Sequence, residues 1–78
     1  MDAVDQEILK KYKPIIDCAK ENDWEVDCSK LKENGPKFKK DEVEIWKISD
    51  GWQCADMLDG RYQNHRPYKL IFEALNNE

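Results

Sequence analysis

No segment of this 78-residue chain approaches the roughly 20 consecutive apolar residues that span a bilayer. Its first residues, Met1 to Leu9, are acidic, where a secretory leader has a basic stretch followed by an apolar one. The sequence therefore predicts no helical membrane span, no signal peptide and no membrane partner, and it predicts a cytoplasmic location. Met1 followed by Asp2 reads as a native start and predicts a complete small protein. Cysteine is scarce and odd in number: Cys18, Cys28 and Cys54 form no CxxC pair, which argues against a disulfide framework and for reduced thiols. A zinc site would have to combine these three with His65, without the short paired spacing such sites use. With only Gly35, Gly51 and Gly60, no glycine-rich loop can cradle a phosphate. His65 is the single histidine and has no serine, second histidine or spaced nucleophile beside it. No catalytic residue, cofactor or metal is predicted, and the chain reads as a non-enzyme. Internal repeats and low-complexity stretches are missing too.

What is present is 40% hydrophobic and 38% charged residues, with three Trp, three Tyr and two Phe spread along the chain. That aromatic content is the opposite of a disordered composition. A chain of this length forms one domain, 1–78, and buries only about 60% of its unfolded surface. Large side chains must fill so small an interior, so Trp24, Trp46 and Trp52 are expected in the core.

Val4, Ile8, Tyr12, Ile15, Ile16 and Ala19 recur at three- and four-residue steps and predict an amphipathic N-terminal helix. Asp2 and Asp5 suit its positive end, while Pro14 predicts a kink or a break into two helices. Trp24, Val26 and Cys28 alternate with Glu25 and Asp27, the pattern of a short half-buried strand. Glu33 to Lys37 reads as a loop, and Phe38 is expected to anchor it to the core. Glu42 to Ile48 reads as a strand, with Ser49-Asp50-Gly51 turning into a second strand from Trp52, which places Trp46 and Trp52 face to face. A helix from Asp50 to Gly60 is the rival reading of that second segment. Arg61 to Arg66 reads as a loop, and Tyr68, Ile71, Phe72 and Leu75 form the stripe of a C-terminal helix with Pro67 in its first turn. The predicted fold is a small α+β domain: N-terminal helix, short antiparallel sheet of about three strands, C-terminal helix.

The net charge of −4 conceals blocks of alternating sign: −4 over residues 1–29, +4 over 30–40, −5 over 41–59 and +1 over 60–78. Two candidate partner-binding surfaces follow. Asp41, Glu42, Glu44, Asp50, Asp56 and Asp59 form an acidic set suited to a basic partner, with Glu42, Glu44 and Asp56 expected on one side of adjacent strands. Arg61, Tyr62, Arg66 and Lys69, with His65 and Tyr68, form an arginine and aromatic cluster of the residue types that dominate interface energetics. The sober reading of that cluster pairs the arginines with Asp56 and Asp59.

These features predict a non-enzymatic interaction protein that inhibits or regulates a larger protein or ribonucleoprotein complex by occupying its surface. Small, charged chains without catalytic motifs suit phage-type inhibitors of host defence, of the anti-CRISPR or anti-restriction class. The alternative is a small nucleic-acid-binding module using Lys37, Lys39, Lys40, Arg61, Arg66 and Lys69. Apolar residues on both faces of the segment from Val43 to Ile48 also make a homodimer an expectation.

Overall fold

The computed structural model describes residues 3–78, with side chains described from Gln6 onward. The expected N-terminal anions Asp2 and Asp5 thus lie outside the described residues and side chains. Helix α1 runs from Ala3 to Glu21, unbroken, with Pro14 inside it. Its end is a left-handed cap. Asp23 takes φ 65° where glycine is usual, and the Trp24 N–H reaches back to the Ala19 carbonyl at 2.9 Å. The Asn22 side chain donates to the Cys18 carbonyl at 2.8 Å, beside the bond from its own backbone N–H at 3.2 Å. This cap turns the chain so that Trp24, 4% exposed, enters the core at the start of β1 (Glu25–Asp27).

A single turn of helix, α2 (Leu31–Asn34), leads through Gly35 and a buried Pro36 into β2 (Lys37–Lys40). Strands β3 (Val43–Ile48), β4 (Gly51–Leu58) and β5 (Arg61–Tyr68) follow, then helix α3 (Ile71–Asn77). The five strands form one antiparallel sheet in chain order, β1-β2-β3-β4-β5. The α+β architecture with a helix at each end is as the sequence predicts, but the sheet has five strands and not about three.

Each departure has a local cause. Lysines at three of the four positions of β2 hide its strand character, although Phe38 is fully buried and its neighbours pair on both sides. Strand β5 occupies the segment expected as a loop, because its polar run interrupts the alternation that reveals a strand. Pro67 ends up in β5 and not in the helix, tolerated because β5 is an edge strand paired only with β4. The helix accordingly starts at Ile71, and Phe72, expected on its buried stripe, is 44% exposed. The 50–60 segment is strand, as the hairpin reading has it. Gly51 is obligatory there: its φ is +136°, and a Cβ would lie 2.5 Å from the Tyr68 carbonyl oxygen. At the other end Asp59 and Gly60 take φ 52° and 75°, the two positive values of a tight hairpin turn matched to strand twist.

Helices α1 and α3 lie on one face of the sheet. There Phe38, Ile45, Trp52 and Cys54 meet Ala19, Trp24, Ile71, Ala74 and Leu75. Phe38 and Trp52 pack with ring centroids 5.9 Å apart, and the Trp24 indole N–H donates to the Leu75 carbonyl at 3.1 Å. Trp46 does not face Trp52: it stands opposite Gln53, while Trp52 stands opposite Lys47, so the two tryptophans lie on opposite faces. Replacing Phe38 with Ala should lower stability by about 3–5 kcal/mol, read as a fall in the urea midpoint with little change in slope.

Candidate functional site on the open sheet face

Strand alternation sends Lys37, Lys39, Glu44, Trp46, Gln53 and Ala55 to the face that carries no helix. One irregularity adds to this set. Between Cys54↔Arg66 and Asp56↔Gln63 the register advances two residues on β4 but three on β5, a bulge at which Asn64 takes φ 54°. The extra residue reverses the phase of β5. Tyr62 and His65 therefore both reach the open face, whereas Arg66 and Tyr68 point to the helix-covered side.

On the open face Tyr62 packs against Trp46 at 4.8 Å between centroids, and His65 meets the same indole edge-on at 6.5 Å. Beneath this aromatic group lies a polar triad. Glu44 Oε1 accepts from Lys37 Nζ at 2.8 Å and from the Tyr62 hydroxyl at 3.2 Å, and Lys37 Nζ also donates to the Tyr62 oxygen at 3.1 Å. Glu44 is 7% exposed, so its charge is held in place by these partners. The same bonds, that to Glu44 first, hold the Lys37 ammonium above its ordinary pKa. Beside the triad, between the α2 turn and β3, a cleft of about 650 Å³ is lined by Asp27, Ser29, Lys30, Lys37, Lys47, Trp46 and Tyr62 among others.

On the opposite side, Arg66 forms a second polar centre. It grips Glu78 through two parallel bonds, Nε to Oε2 at 2.9 Å and Nη2 to Oε1 at 2.8 Å, and reaches Asp56 at 3.0 Å. The Tyr68 hydroxyl adds a 2.6 Å bond to Glu78. Arg66 holds the Glu78 carboxyl below its usual range, and the bond to Glu78 pushes the Tyr68 phenol up to about 12. Burial raises the adjacent Cys54 thiol to about 11, which leaves it protonated and inert at neutral pH. This centre fastens the end of α3 to β5. Among the described residues no three His, Cys, Asp or Glu side chains converge so as to hold a metal ion.

The ten residues singled out from the sequence are dispersed. Asp41, Glu42 and Asp59 sit in turns at one end of the sheet and Asp50 in the turn at the other, all exposed. Glu44 and Asp56, expected together, occupy opposite faces: Glu44 pairs with Lys37, and Asp56 pairs with Arg66 and Asn64. Arg61 and Lys69 are exposed at the two ends of β5. Of the ten, only Glu44 and Tyr62 meet on the open face. Trp46, assigned to the core by size, and His65 complete that patch. The alternation with buried Ile45 was the signal for Trp46; the bulge that brings in His65 has no clear mark in sequence. Comparison of the chain with protein-family models, with curated proteins and with solved structures found no match in any of the three.

Two predictions follow from these centres. Lys37→Met leaves the Glu44 carboxylate short of a cation and should cost about 2 kcal/mol, whereas the double variant Lys37→Met with Glu44→Gln should recover most of it in chemical denaturation. The Glu78 carboxyl, depressed in the folded state, contributes stability that is present above its unfolded pKa and lost as pH falls through the folded value. Thermal melts should therefore drop below about pH 4.3, and Glu78→Gln should flatten that drop while leaving a lower melting temperature at neutral pH.

Proposed function

We propose that this protein is a small, non-enzymatic interaction module that docks on a larger protein partner through its open sheet face, and regulates or inhibits that partner by occupying its surface. The observation that carries the reading is the cluster of Trp46, Tyr62 and His65 on a face that no part of the described chain covers. Tryptophan and tyrosine are the side chains most enriched at interface hot spots, and a rigid sheet presents them at little entropic cost. The polar group within the patch is already satisfied, since Glu44 has its cation and its hydroxyl inside the chain. A partner covering it meets no unpaired charge.

Charge favours a protein over nucleic acid. The paired strands set Glu25 opposite Lys39 and Asp27 opposite Lys37, with Glu44 beyond Lys39, so the lysines of this face are matched by three carboxylates. Such a face offers little net attraction to a phosphate chain. The inhibitor of a host-defence complex remains the specific role this proposal favours, because occupying a surface requires no chemistry from the occupant.

The test is co-purification from lysate of the native host, with purified protein in parallel sedimentation runs. Trp46→Ala and His65→Ala should abolish or weaken capture of a defined protein partner by at least about tenfold, a loss typical of hot-spot truncation, while Lys13→Ala on the outer side of α1 should not. Equal capture by all three variants would refute the docking face. Binding to single-stranded DNA or RNA that collapses with salt and depends on Trp46 would replace the proposal with the nucleic-acid reading. A Trp46-dependent dimer in sedimentation would replace it with self-association.

A further inference from the structure

The α2 turn ends in the pair Asn34-Gly35, and its surroundings set this asparagine apart. Asn22, Asn64 and Asn76 each commit the side-chain amide to a bond, with the Cys18 carbonyl, the Asp56 carboxylate and the Phe72 carbonyl in turn. The exposed Asn34 amide makes no hydrogen bond among the described residues, and its neighbour is a glycine at φ 75°. We propose that Asn34 is a site of spontaneous deamidation, through which the chain converts its own α2 turn and remodels one wall of the open-face cleft. The inference goes beyond the docking reading and stands without it.

The reaction needs only water. The Gly35 backbone nitrogen gives up its proton and attacks Asn34 Cγ; the Cγ–Nδ2 bond breaks, ammonia leaves, and a five-membered imide closes. Water then adds at one of the two imide carbonyls, the ring C–N bond at that carbon breaks, and the nitrogen regains its proton. Opening on one side gives aspartate. Opening on the other gives the β-linked isomer, whose backbone runs through the side-chain carbon and is one atom longer. Glycine is the neighbour that suits this attack, because it has no Cβ to crowd its nitrogen or restrict its rotation.

The fold imposes one brake. The Gly35 N–H donates to the Leu31 carbonyl at 3.1 Å, and Asn34 is helical, so α2 must open before the ring can close. That opening costs little: α2 is a single turn, has no side-chain cap at its start and buries no residue. On the other side of the pair, Pro36 and Phe38 are fully buried. The longer backbone is therefore taken up by α2, and the register of β2 holds. Asn34 and Gly35 line the same cleft as Trp46 and Tyr62, so a new carboxylate and a loosened turn arise beside that aromatic pair.

The experiment ages the full isotope-labelled chain, folded, at mildly alkaline pH, beside a sample unfolded in guanidinium chloride. Trypsin then isolates the segment from Glu33 to Lys37 from those that hold the other asparagines. In the folded chain this segment should gain the mass difference between an amide and an acid, as a mixture of aspartate and its β-linked isomer, while the segments with Asn22, Asn64 and Asn76 keep their amides. Conversion should run about fivefold slower than in the unfolded sample, the weight of one backbone hydrogen bond. Asn34→Gln, whose longer side chain closes no five-membered ring with Gly35, should keep its mass. Nuclear magnetic resonance spectra of the aged chain should show the Gly35 and Trp46 indole signals displaced and those of Phe38 and Ile45 unmoved. The inference is overturned if the folded chain keeps the Asn34 amide while the unfolded chain loses it, or if another asparagine converts first. It is equally overturned if the converted chain leaves the Gly35 and Trp46 signals in place, or displaces those of Phe38 and Ile45 as far.

Discussion

One extra residue in β5 decides what each face of this sheet can do. A strand alternates strictly, so Tyr62, His65, Arg66 and Tyr68 would be sorted quite differently without the bulge at Asn64. With it, Tyr62 and His65 join Trp46 on the open face, and Arg66 and Tyr68 turn inward to hold Glu78. The aromatic patch and the fastening of α3 are thus two results of a single backbone displacement. An asparagine serves this position well, since it tolerates the left-handed conformation better than other residues with a Cβ, and its side chain binds Asp56 at 3.1 Å.

The two polar centres solve opposite problems with similar parts. Arg66, Asp56 and Glu78 lie partly exposed at the margin of the covered face, where a bidentate arginine supplies geometry that a bare hydrophobic contact between so short a helix and a strand lacks. Lys37, Glu44 and Tyr62 lie on the open face, beside the Trp46 ring and among further polar residues such as Lys39 and Gln53. There the carboxylate is the most buried charged group among the described residues, 7% exposed, and its partners are fixed by the register of β2 against β3 and by the bulge.

The sequence carried the two terminal helices, the central hairpin and the class of fold, because those elements announce themselves by period and composition: threes and fours in α1, β-branched and aromatic residues in β3; the α2 turn went unread. It carried the site poorly. Charge counted along the chain suggested an acidic surface, yet folding spread Asp41, Glu42, Asp50 and Asp59 over turns at both ends and neutralised Glu44 and Asp56 with cations from other strands. Pairings of that kind join residues 7 and 10 positions apart through strand register, which local composition does not encode. Trp46 was legible in principle, since it alternates with Ile45; weighting its size above its phase misplaced it.

The meander has one more consequence, which concerns the order of folding. Every strand pairs with its neighbour in sequence, through connections as short as the Asp59-Gly60 turn, so the sheet can assemble by successive hairpins with little loop entropy to overcome. The bond from the Trp24 indole to the Leu75 carbonyl spans 51 residues and closes the two helices over that sheet. It depends on both ends of the molecule being in place. Docking of the helices thus adds contacts of long sequence separation to a set of local hairpins, and it closes a far longer loop than any strand pairing does.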